Sequence, residues 1–334
     1  MAHEIWMDNG RASMMYVEEV PWHGLGTKLD KPATAQEAIK AANLDWEVEK
    51  QLLVAVGGTA MQPIGKYAVV RKDLWGRPDC PVFGIVGEDY TPLQNRDAFS
   101  FFDEIVGSGA NIYHTAGALG KGERVWILAK LPGYIRVVGD DITDKYLLLS
   151  NSHDGHSSVQ VKFTPIRVVC QNTLTMALSQ GPTVRVVHTK DVHKHLRQAM
   201  QILGIINRRF DELGEAFQNM AKVQMTEERS QSYFNLVFPN PRDPEDWEGT
   251  NQARQNRQWA HYFFENGEGN KEAGVRGTLW AAYNGVTEYI DHCKKPKSKQ
   301  SDDRRLNSIW FGEGYLVKAR AFNVAANKMK EWLQ

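Results

Sequence analysis

Alternation of apolar and polar positions dominates the first half of this chain, and helical spacing dominates the second. Period-two runs predict strands over 46–56, 66–72, 82–87 and 124–131, then over 146–151, 158–163 and 183–188. Spacing of three and four predicts a helix over 35–42, with Thr34 as N-cap and Glu37 completing a capping box. A second helix is predicted over 95–106, with Phe99, Phe101 and Phe102 on one face.

The centre of the chain is the stretch 145–178. Two strand-like runs flank Ser152-His153-Asp154-Gly155-His156, and Asp154-Gly155 is a strong hairpin signal because a primed turn needs positive φ. Pro165 ends the second run. From Arg167 to Ser179 the spacing of Val168, Val169, Leu174, Ala177 and Leu178 predicts a short helix. The strands over 124–131, 146–151 and 158–163, followed by that helix, make a β-β-β-α unit.

Leu196, Ala199, Leu203, Ile206, Phe210, Leu213, Phe217 and Met220 then repeat at three and four, the seam of a long packed helix. After 225 the character changes. A helix capped by Thr226, a Pro-rich acidic linker at 239–246, and helices over 252–266, 278–292 and within 306–333 follow. The expected fold class is therefore α+β: a mostly antiparallel sheet with a β-β-β-α core, a long helix after it, and a helical C-terminal part. The expected division is a mixed α/β core domain over 1–225 and a helical region over 226–334.

Composition narrows the class. The chain has 334 residues, 42% hydrophobic and 24% charged, as expected of a folded protein with a substantial core. Its formal net charge is zero, so no global field calls for a polyanion. The distribution is uneven, however. Residues 159–210 hold eight Lys or Arg (Lys162, Arg167, Arg185, Lys190, Lys194, Arg197, Arg208, Arg209) against one acid, Asp191. With three widely spaced cysteines, no basic-then-apolar leader and no apolar run of membrane-spanning length, a cytoplasmic protein is expected.

Gly24 and Gly26 suit a turn, since no strand–glycine loop–helix context follows, and Gly117, Gly120 and Gly122 suit a loop before a strand, since no Lys-Ser/Thr ends the run and it is not a P-loop. His153, Asp154 and His156, with His188, His193 and His195, invite a metal reading, but the hairpin already accounts for Asp154-Gly155, and no metal or other cofactor is expected. Cys170 paired with His153 or His188 is a conceivable nucleophile, yet a thiol between Val169 and Gln171 on an amphipathic helix is expected to be buried and inert. No catalytic residue is assigned, and nothing in the sequence requires an enzyme. The nucleic-acid reading is stronger. Lys162, Arg167, Arg185, Lys190, Lys194 and Arg197 would contact phosphates, while Gln160, Gln171 and Asn172 would hydrogen-bond backbone or base edges. Phe163 or Tyr146, if exposed, would stack on bases.

The ordered segments PWHGLG (21–26), YTPLQN (90–95), TAGAL (115–119), NSHDG (151–155), RVVCQNTL (167–174) and GTLWAAYNGVTEYIDH (277–292) resemble a family of phage/plasmid-like proteins of unknown function. That resemblance implies a mobile element working in a bacterial cytoplasm. The β-β-β-α order is also similar to that of ring-forming single-strand annealing recombination proteins. It implies a partner, the phosphate backbone of single-stranded DNA, and a homo-oligomer, a ring being one closed form. Two other readings stand beside it: an enzyme that processes nucleotides or nucleic acid, and an interaction protein that counteracts host defence.

Overall fold

A computed structural model describes residues 5–18, 20–21, 24–106, 112–167, 172–173, 184–190, 194, 206–240, 250–294 and 305–333. The protein is α+β with mostly antiparallel sheets and a helical C-terminal part. The chain forms two compact units, neither of them one continuous stretch. The first comprises 1–131, 147–162 and 183–205; the second comprises 132–146, 163–182 and 206–334.

In the first unit, β1 (Met7–Asp8) and β2 (Arg11–Ala12) form a small ribbon. The main sheet runs β4 (Thr27–Leu29), β3 (Met14–Val17), β8 (Tyr113–Leu119) and β9 (Arg124–Val138), continuing through β10 (Asp141–Ser152), β11 (Val159–Phe163) and β14 (Val184–Val186). β9 and β10 supply residues to both units. Within the first unit Val125, Trp126, Ile127 and Leu147 to Leu149 are buried, because strands inside this sheet are covered on both faces.

Helix α1 (Ala35–Ala41) starts at the expected capping box: Thr34 accepts from the Glu37 amide, and the Glu37 carboxylate accepts from the Thr34 amide at 2.9 Å. Helix α2 (Asn95–Val106) buries Phe99. A separate three-stranded sheet orders β5 (Val48–Gly57), β6 (Ala60–Arg71) and β7 (Val82–Val86). β7 reaches only Tyr67 to Val70 of β6, so the rest of the β5–β6 hairpin is two strands thick.

In the second unit, the outer parts of β9 and β10 are joined by β12 (Ile166–Arg167) and β13 (Asn172–Thr173), both antiparallel. The helix expected from Arg167 is thus not formed over these residues; Arg167 pairs with Thr143 on one side and Asn172 on the other. Local spacing lost to a long-range partner, the buried carboxylate of Asp141, which anchors Arg167 in the strand.

The helices are α3 (Ile206–Lys222), α4 (Glu227–Val237), α5 (Asn251–Asn266), α6 (Leu279–Glu288), α7 (Arg305–Trp310) and α8 (Glu313–Trp332). A π-helical turn, Tyr289–Cys293, extends α6. All ten residues of α6 are buried, and it packs against α3, α5 and α8. Gly285 makes this possible: a Cβ there would lie 2.6 Å from the Phe264 amide nitrogen and 2.8 Å from the Ala260 carbonyl oxygen. The seam residues Phe210, Leu213, Phe217 and Met220 are buried along α3, while 196–203 lie outside the described residues. The compositional change near 225 falls inside the second unit, between α3 and α4.

Candidate nucleic-acid interface

Strands β11 and β14 are short and β-branched, and their valines alternate with polar residues. Val159, Val161 and Val186 are buried, which turns Gln160, Lys162 and Arg185 to the opposite face. Gln160 stands directly across from Arg185, and Lys162 is one pleat further along. Arg185 is exposed, whereas Gln160 and Lys162 are half-buried. Burial first, then the charges of Arg185 and Arg124, push the Lys162 amine down to about 8. The positive charges of Arg185 and Arg124 thus reach Lys162. Arg124, at the start of β9, is not among the sequence candidates; no local pattern ties it to Lys162 and Arg185, 38 and 61 positions away.

The other candidates divide. Lys190 and Lys194 are exposed in the segment that follows β14, in the same unit. Arg167 belongs to the second unit and is fully buried there. Its Nε donates to Asp141 Oδ1 at 2.9 Å and its terminal nitrogen to Oδ2 at 2.7 Å. It also donates to Asn270 Oδ1 at 2.9 Å and the Gly269 carbonyl at 3.1 Å, while Trp280 Nε1 donates to the same Asp141 carboxylate at 2.7 Å. This corrects the expectation that Arg167 contacts phosphate: its donors are spent inside the core. Asn172 pairs with Arg167 in the same strand pair. Tyr146 is buried and offers no stacking face. Gln171, Arg197 and Cys170 lie outside the described residues.

His153 and His188 are likewise internal. His153 stacks on Phe83, with ring centroids 6.0 Å apart, beside Trp46, and its Nε2 shares a hydrogen bond of 3.1 Å with Asn95 Oδ1. Tyr90 packs against His188 at 4.9 Å and its hydroxyl donates to the Ser152 carbonyl at 3.2 Å. Asn151 Nδ2 donates to the Leu93 carbonyl at 2.9 Å. Burial, then the proximity of His188, push His153 down to about 3; burial lowers His188 as well. Both imidazoles are thus neutral packing groups at pH 7. Asp154 accepts from the His156 amide at 2.7 Å and Gly155 takes φ +77°, but Asp154 does not take a positive φ, so β10 and β11 are joined by a six-residue loop and not by the two-residue primed turn expected of Asp-Gly. Among the described residues, no group of three or more His, Cys, Asp or Glu is placed to hold a metal ion.

The segments 90–95 and 151–155 therefore meet in one buried polar cluster of the first unit. A family model described as a domain of unknown function, DUF932, matches residues 82–310. The chain belongs to this family. The DUF932 region runs from β7 into α7 and contains the whole β11–β14 face, but not the PWHGLG segment at 21–26. No curated protein and no solved structure matches the chain. No described helix is long and apolar enough to cross a membrane.

Proposed function

We propose that the chain binds single-stranded DNA through the Gln160–Lys162–Arg185 face, and that it acts as a strand-annealing protein of a phage or plasmid. The supporting observation is the shared face on which the β11–β14 pairing places Gln160, Lys162 and Arg185. A strand held there by its phosphates keeps base edges free to test pairing, so annealing needs no catalyst. Lys190 and Lys194, exposed just beyond β14, extend the positive charge. The buried, neutral histidines supply packing in this reading and no acid–base chemistry.

Fluorescence anisotropy of a labelled single strand over a salt series tests it. Replacing Lys162 and Arg185 with Ala removes two phosphate contacts and flattens the plot of log K against log salt by about 1.4. Protonation adds a second readout. Only the charged amine grips phosphate, so affinity falls as pH rises through about 8, where Lys162 discharges. Lys162→Arg abolishes that fall, because a guanidinium stays charged. An unchanged salt slope in the folded double variant refutes the assignment of this face.

A further inference from the structure

Helices α4 and α5 of the second unit run antiparallel. Arg257 Nε donates to the Phe238 carbonyl at 3.0 Å, while Phe234, one turn earlier in α4, meets His261 and Phe264 further along α5. Between the two helices is an open groove of about 570 Å³. Its floor is the buried ring of Phe234, and its ends carry opposite charge, Arg254 at one and Glu227 with Glu265 at the other. Along α5, Arg254 and Glu265 are about 16 Å apart at helical rise. Midway between them Trp259 and Tyr262 stand 44% and 52% exposed, edge to face at 5.8 Å.

These charges do not serve the helix that carries them. Arg254 near the start of α5 and Glu265 near its end oppose the helix dipole, which favours the reverse. Among the described residues neither makes an ion pair. The polarity selects an occupant. A partner of one charge, nucleic acid included, is attracted at one end of the groove and repelled at the other. A second α5 turned end for end presents Glu265 to Arg254 and Arg254 to Glu265, so symmetry satisfies both ends. In that register each Trp259 comes level with residues 258–262 of the second copy, over the groove. The indole fills the groove, and the exposed aromatic face is covered.

We propose that two copies of this chain pair through α5, antiparallel about a two-fold axis between Trp259 and Ala260, with each Trp259 seated in the α4–α5 groove of the other. The two α4–α5 pairs then make four helices around one aromatic centre, flanked on both sides by Arg254–Glu265 ion pairs.

Sedimentation velocity of the whole chain at micromolar concentrations and low salt tests this. The native protein is expected to sediment as a dimer. Arg254→Glu and Glu265→Arg each set like charges against one another at both ends, and each is expected to leave a monomer. Mixed in equal amounts, the two single variants restore both ion pairs and are expected to form a heterodimer. Trp259→Ala empties the groove and is expected to weaken the native dimer about tenfold. Circular dichroism and melting temperature verify that the exposed substitutions leave the fold intact. A native monomer, including one that associates only with a different protein, overturns the proposal. So does an assembly larger than a dimer, a dimer that survives either charge reversal or is as tight with Trp259→Ala, or a mixture of the two reversed variants that stays monomeric.

Discussion

Acidification should weaken the first unit through His153, and the size of the effect follows from its burial. Unfolded, this imidazole protonates near 6.5; folded, it resists protonation down to about 3. Below 6.5 the unfolded chain therefore binds a proton that the folded chain excludes. The stabilisation is complete above 6.5 and is lost as pH falls toward 3. The slope for one such group is about 1.4 kcal/mol per pH unit. Lowering the pH from 7 to 5 thus removes about 2 kcal/mol through His153 alone. His188, also lowered by burial, acts in the same direction, and Asp154 opposes both. The assay is urea unfolding at pH 7 and pH 5 for the native chain and for His153→Gln. Gln retains an amide to bond Asn95 but cannot titrate, so its loss of stability between the two pH values should be smaller by about 2 kcal/mol. Equal losses in the two proteins would refute the claim that a neutral buried imidazole underlies the acid sensitivity.

Other expectations follow from the second unit. Arg167→Ala leaves the Asp141 carboxylate buried beside the Trp280 indole without its counter-charge, and should cost about 3–5 kcal/mol in urea unfolding. It should leave the salt slope of any DNA binding unchanged, since the guanidinium is inside the core. Gly285→Ala forces α5 and α6 apart, because the new methyl meets backbone atoms rather than a flexible side chain. A loss of about 1–3 kcal/mol is expected, visible as a lower melting temperature.

Elements whose signal is local were legible in the sequence. The capping box at Thr34, the alternation in β5 to β7, β9 and β11 and the seam along α3 all rest on neighbours a few residues apart. Propensity and period act at that range. The clustering of Gln160, Lys162 and Arg185 was legible only as an excess of positive charge along the chain. Their common face exists because β14 pairs with β11 in one register. Arg124 joins them from another strand, with no sequence mark.

Arg167 shows the opposite outcome. Its sequence surroundings read as helix and its charge as a phosphate contact, and tertiary structure decided both differently. Its partners Asp141 and Asn270 lie 26 and 103 residues away, and they satisfy it in the dry interior. By itself the sequence determined which segments alternate and which coil, since those choices are made by adjacent side chains. Which cations reach solvent and which are consumed in the core depended on contacts made only when distant segments fold together, because an isolated charge cannot be buried unpaired.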